Sequence, residues 1–157
     1  MFKTIFLCFK AIINNWNQPP NIEQIKNHEV SLRVMPWHLD LNFHVNNAKY
    51  FSYCNQARFV FMLDTKILSF IFRRKFIPVI KKMEVQYLKS LMLFQKFKII
   101  TSLVEVQKGF LLLEHQIIDN SGALVARVKC QVCLLKKNEY IDHEKLFENY
   151  FNLVEKK

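Results

Sequence analysis

Trp37-His38-Leu39-Asp40-Leu41-Asn42-Phe43-His44-Val45-Asn46-Asn47-Ala48-Lys49-Tyr50 is the stretch that decides how this chain of 157 residues is read. Asp40, Asn42 and His44 alternate immediately ahead of Asn46-Asn47, either of which suits the N-cap of a helix. Along that helix Tyr50, Tyr53, Cys54, Ala57, Val60 and Phe61 fall on one stripe, widened by Phe51 and Met62. So apolar a helix is expected to be largely buried. A carboxylate such as Asp40 can act as general base or nucleophile, and the amide of Asn42 and imidazole of His44 can orient water or a carbonyl. Free first-turn N–H groups of Asn46, Asn47 and Ala48 can stabilise an oxyanion, helped by the helix dipole. Together these groups suit acyl transfer from an activated ester without serine or metal. Singly, each has a structural explanation: caps for the asparagines, turn formation for Asp40 and Asn42, packing for His44. The spacing ahead of a buried helix favours the chemical reading.

The flanks supply the architecture. Glu29 to Met35 alternates and reads as a strand that Pro36 stops. Thr65 to Phe76 suggests a second short helix ending in Arg73-Arg74-Lys75. From Ile77 the period changes to two, giving strands over 77–87, from Phe97 to Leu103, over 110–118 and over 123–135, with Asp119-Asn120-Ser121-Gly122 as a turn. A closing helix from Asp142 to Val154 carries Leu146, Phe147, Tyr150, Phe151 and Val154 on one face. A strand, a buried helix and four long strands in meander predict an α+β fold, an antiparallel sheet of about five strands wrapped around one helix. The chain divides on this reading into 1–28, 29–136 and 137–157. In the first part, Phe2, Ile5, Phe6, Phe9, Ile12, Ile13 and Trp16 repeat at helical spacing. They predict an amphipathic helix packed on its own domain or a subunit partner, with peripheral membrane contact through residues 1–16 as the alternative. Lys10 and Asn14-Asn15 leave the apolar run too short to span a bilayer.

Composition narrows the field. Gly109 and Gly122 are the only glycines, where average usage would give roughly eleven, so no dinucleotide fingerprint, P-loop or G-x-S-x-G elbow is present. The net charge is +10. Most of it lies in 65–98, where Lys66, Arg73, Arg74, Lys75, Lys81, Lys82, Lys89, Lys96 and Lys98 oppose Glu84 alone, nine charges less one. Such a patch attracts phosphates, an acidic carrier protein, nucleic acid or an anionic membrane, or is simply a solvated surface. No nucleic-acid motif accompanies it, and no nucleic-acid partner is expected. Cys130 and Cys133 read C-x-x-C, but on a strand they face opposite sides and lack a second pair, so no metal is expected.

The pattern Asp-x-Asn-x-His-Val-Asn-Asn-x-x-Tyr, from Asp40 to Tyr50, resembles the signature of hotdog-fold thioesterases. It is most similar to acyl-CoA thioesterases of the 4-hydroxybenzoyl-CoA type and to plant acyl-carrier-protein thioesterases. The resemblance covers residues 29–136. It implies hydrolysis of an acyl thioester on coenzyme A or an acyl-carrier protein, no cofactor, a homodimer or homotetramer, and a cytoplasmic place in fatty-acid metabolism. The catalytic carboxylate maps onto Asp40, with Asn42 and His44 as polar helpers. Substrate contacts are expected from Tyr50, Tyr53, Cys54 and Ala57 on the helix, and from Arg73, Arg74, Lys81 and Lys82 toward phosphates or an acidic carrier. Three departures stand out: His38 and Asn55 occupy positions where many relatives have acids, and Phe43 stands where Gly often precedes the His. The missing second acid motivates the alternative, a hotdog module that binds acyl-CoA, lipid or a membrane surface without turnover.

Overall fold

The computed structural model describes residues 25–137 and 139–154, so the expected helix over residues 1–16 lies outside the described residues. The order is β1 (His28–Arg33), a short 3-10 turn (Pro36–His38), α1 (Asn47–Asp64), α2 (Ile67–Arg74), β2 (Ile77–Tyr87), β3 (Lys96–Gln107), β4 (Phe110–Asp119), β5 (Leu124–Lys136), β6 (Glu139–Tyr140) and α3 (His143–Val154). All pairings are antiparallel, in the spatial order β1-β3-β4-β5-β2 with the two-residue β6 on β5. This is the hotdog arrangement, a curled sheet around α1.

The expected meander holds only for β3, β4 and β5. Strand β2 is not a neighbour of β3; it crosses the sheet and pairs with β5. The reason is in its connection, which has no two-residue hairpin turn but runs over the sheet end, where Leu88 and Lys89 donate to Val125 C=O and, beside β1, Val34 N–H donates to Gln95 C=O. At the β4–β5 hairpin, by contrast, Asp119 Oδ1 accepts from Ser121 and Ala123 N–H, and Gly122 takes φ +85°, where a side chain would be strained.

Helix α1 starts because Asn46 Oδ1 accepts from Ala48 N–H at 2.9 Å. Its buried face presents Tyr50, Tyr53, Cys54 and Ala57 to Phe97, Ile99, Ile117, Val125 and Val128 of the sheet. Further along, Phe61 packs with Leu113, Cys130 and Val132, and Phe70, Ile71 and Phe76 form a third apolar cluster with Leu134. One residue departs from the hydrophobic stripe. Arg58 is buried, its guanidinium donating to Asn55 Oδ1 and, at 3.4 Å, to Cys130 Sγ. Its apolar stem packs while the charged end finds acceptors. The last helix is pinned by His143, fully buried, whose Nε2 accepts from Leu134 N–H at 2.9 Å and whose Nδ1 faces Lys108 C=O at 3.1 Å. No described helix is long and apolar enough to cross a membrane.

Candidate active site

Between the 3-10 turn and α1 the chain folds into a miniature hairpin. Leu39 bridges Val45, Asp40 N–H donates to His44 C=O at 2.9 Å, and Phe43 N–H closes the turn on Asp40 C=O at 3.1 Å. Opposed positions of an antiparallel pair share a face, so Asp40 and His44 stand side by side. The Asp40 carboxylate is half-buried and its Oδ1 accepts from Asn42 N–H at 2.8 Å, an Asx turn that holds the carboxylate against its own backbone. His44 also bridges Met92 in the loop before β3, while Asn42 is exposed at the tip.

The helix start lies next to this hairpin because Asn46 N–H donates to His38 C=O at 2.9 Å. That bond and the Ala48–Asn46 cap take up two of the three amides expected to stabilise an oxyanion. Asn47 N–H is the one left without an acceptor among the described residues. The Asn47 carbonyl accepts from Tyr87 Oη at 3.1 Å, which ties the end of β2 to the start of α1.

His38 is a component that the sequence reading noted only as a departure. Its Nδ1 accepts from Met35 N–H at 3.0 Å and from the Tyr53 hydroxyl at 2.7 Å, so the ring is neutral with its proton on Nε2. Burial, then Lys49, lowers its pKa below the ordinary value. This fixes His38 as a brace between the 3-10 turn and α1. Only the fold reveals that partnership, since His38 and Tyr53 are fifteen residues apart.

The remaining expected site residues are dispersed. Tyr50, Tyr53 and Cys54 are buried against the sheet. Burial pushes the Tyr53 hydroxyl and the Cys54 thiol each up to about 12, so Cys54 is a protonated core residue and not a nucleophile. Arg73 and Arg74 are exposed at the end of α2, Lys81 lies at a bulge in β2, and Lys82 pairs with Glu84 at 2.7 Å. Arg73 and Arg74 lie beyond the far end of α1, whose 18 residues rise roughly 27 Å from the Asp40 hairpin, and Lys81 and Lys82 stand midway along β2. Beneath the second half of α1 lies an apolar cavity of about 60 Å³ lined by Phe61, Met62, Ile67, Phe70, Leu113 and Val132, among others. No group of His, Cys, Asp and Glu among the described residues is arranged to hold a metal.

A family model of the thioesterase-like superfamily matches residues 34–140, which takes in the Asp40 hairpin, α1 and every described strand but β1. The chain belongs to this superfamily. Solved structures agree on the fold. A probable thioesterase of Escherichia coli, YbaW, is similar with a TM-score of 0.73 at 20% identity, covering 78% of this chain and 95% of that one. A DHNA-CoA thioesterase of Staphylococcus aureus gives 0.68 at 15% identity, over 83% and 89% of the two chains. A Thermus thermophilus thioesterase, crystallised with coenzyme A and zinc, gives 0.66 at 23% identity over 82% and 95%. None of the curated proteins matches the sequence. At these identities the structural likeness establishes the hotdog fold alone.

Proposed function

We propose that this member of the thioesterase-like superfamily hydrolyses acyl thioesters of coenzyme A or an acyl-carrier protein. The observation that carries the proposal is the hairpin holding Asp40 beside His44 at the N-terminus of α1. In the proposed reaction the Asp40 carboxylate takes a proton from a water molecule, and the resulting hydroxide adds to the thioester carbonyl. Asn42 and His44 orient the water and the acyl group. The Asn47 N–H and the dipole of α1 stabilise the developing oxyanion, a kind of contact worth roughly 3 kcal/mol per donor. When the C–S bond breaks, the proton held on Asp40 passes to the departing sulfur, giving free acid and thiol.

The same reading requires a second copy of the chain. Strand β2 is an edge of 11 residues that pairs only with β5 among the described strands, and Ile77, Val79, Ile80 and Tyr87 on it are exposed. A long apolar edge is a template for pairing. A two-fold antiparallel pairing of β2 with its copy sets the start of one β2 beside the end of the other. The Tyr87 end is bonded to Asn47, so the copy's Arg73 and Arg74 approach the Asp40 hairpin, within reach of a carrier's phosphates, while Lys81 and Lys82 stay near the middle of the paired strands. This accounts for cations that are remote from Asp40 in one protomer.

Free-thiol release from short, medium, long and aromatic acyl-CoAs tests the proposal. Turnover of at least one class is expected. Asn55, whose Oδ1 is bonded to Arg58, stands where many relatives have an acid, and this favours a second reading, a non-catalytic acyl-CoA-binding module. Binding without thiol release across the panel would establish that reading instead.

A further inference from the structure

The proposed oxyanion site has one amide donor where the chemistry has room for two. A thioester carbonyl oxygen carries two lone pairs, and both become stronger acceptors as negative charge develops on it. At the start of α1, Asn46 N–H is held by His38 C=O, Ala48 N–H by Asn46 Oδ1 and Lys49 N–H by Asn46 C=O. Asn47 N–H is the one amide of that turn without an acceptor among the described residues. A second donor stands beside it, on a side chain that the proposed reaction does not use.

That side chain is His38. Met35 N–H, which can only donate, meets His38 Nδ1 at 3.0 Å, so this nitrogen presents a lone pair and the proton is on Nε2. The Tyr53 hydroxyl, its pKa pushed up to about 12 by burial, stays protonated and donates to the same Nδ1 at 2.7 Å. A helical side chain leans back toward the start of its helix, so this bond holds the ring beside the first turn of α1. The charge of Lys49 in that turn bears on the ring, and the His38 carbonyl closes on Asn46 N–H at 2.9 Å, one residue from Asn47. Leu39 is extended, with φ −82° and ψ 155°, so His38 and Asp40 on either side of it project the same way. His38 Nε2–H has no acceptor among the described residues and is not one of the buried unpaired atoms.

We infer that His38 is a second oxyanion donor, whose Nε2–H and the Asn47 N–H together hold the thioester carbonyl oxygen as its charge develops. The inference rests on the proposed hydrolysis. The imidazole donates a hydrogen bond and keeps its proton, while the proton of the attacking water goes to Asp40 and then to the departing sulfur. Burial and Lys49 keep the ring neutral, and a neutral imidazole is suited to polarising a carbonyl. An imidazolium there would instead pair with Asp40 and weaken it as a base. The donor is also fixed in advance, since the bonds at Nδ1 and at the His38 carbonyl tie ring and helix start together, and such preorganisation is what gives these donors their effect.

Two substitutions separate the ring nitrogens. His38→Asn keeps an acceptor near the place of Nδ1 and removes the donor at Nε2, whereas His38→Gln keeps a donor near the place of Nε2. In the full-length protein, on whichever acyl-CoA it hydrolyses, His38→Asn should lower kcat roughly a hundredfold to a thousandfold, the weight of one oxyanion donor, with KM changed by less than about threefold. His38→Gln should recover most of that loss. The reverse order, with His38→Asn close to wild type and His38→Gln impaired, would overturn the inference and leave His38 a brace alone. Nitrogen resonances of the labelled wild type read the tautomer without turnover: Nε2 protonated and Nδ1 bare at about pH 7.5 is expected, and the opposite tautomer would overturn the inference. Dissociation of His38→Asn into monomers by light scattering would also overturn it, by assigning Nε2–H to a second copy. If wild type releases thiol from no acyl-CoA, the proposed hydrolysis fails and the inference with it; wild-type turnover by a folded His38→Asn refutes the second donor alone.

Discussion

Acid should weaken this fold through a single histidine beneath the central helix. His115 is fully buried, its Nδ1 lies 2.9 Å from Thr101 Oγ1, and its Nε2 has no hydrogen-bond partner among the described residues. Burial first, and then the charge of Arg58, push its pKa from 6.5 down to about 3. The unfolded chain therefore takes up a proton near pH 6.5 that the folded chain refuses until about pH 3. Stability is intact above the unfolded value and falls as pH drops toward the folded one, by ~1.4 kcal/mol per unit once the unfolded form is fully protonated. At about pH 4.5, two units below the unfolded value, the loss amounts to about 2.7 kcal/mol. Replacing both partners, Thr101→Val with His115→Leu, removes the titration without leaving an orphaned polar atom. Urea unfolding at about pH 7.5 and about pH 4.5, at one fixed protein concentration, measures the difference. Wild type should lose about 2.7 kcal/mol more than the double variant over that interval. An equal loss in both proteins would refute the assignment of acid sensitivity to His115.

Asn46→Ala removes the acceptor of Ala48 N–H and should cost ~1 kcal/mol in a thermal melt, whereas Asn46→Asp should retain the cap. His143→Ala strands Leu134 N–H beside a new void, while the backbone N–H of residue 143 keeps Lys108 C=O, and should destabilise by ~3 kcal/mol in chemical denaturation. Ile80→Lys puts a charge on the exposed edge of β2 and should convert the proposed dimer to monomers in light scattering, with no loss of helical signal.

The two sequence periodicities carried most of the architecture. The stripe from Tyr50 to Phe61 and the alternation from Phe97 to Leu135 state which faces are buried, and the packed structure repeats them, whereas the alternation of β2 is left almost wholly exposed on its edge. What alternation does not encode is which strand lies beside which. Nothing within β2 distinguishes β3 from β5 as its partner, and the crossover is set by how the loop before β3 runs over the sheet. Arg58 shows the converse limit, for a residue that is polar by composition is buried through its stem. At the site, Asp40, Asn42, His44 and the Asn46 cap were legible because they are close in sequence and are brought together by local turns. His38 and Tyr53 meet only through the packing of α1. The amides were less legible still, since the capping and closing bonds that take up Ala48 and Asn46 N–H depend on backbone direction, leaving Asn47 as the donor.

The most direct measurement is the turnover of Asp40→Asn against wild type on whichever acyl-CoA the wild type hydrolyses. Asparagine preserves the shape and the Asn42 N–H contact while removing the base. The account predicts a fold unchanged by circular dichroism and a rate lowered by roughly a hundredfold to ten-thousandfold, the usual contribution of a positioned base. An unchanged rate on every active thioester would contradict it.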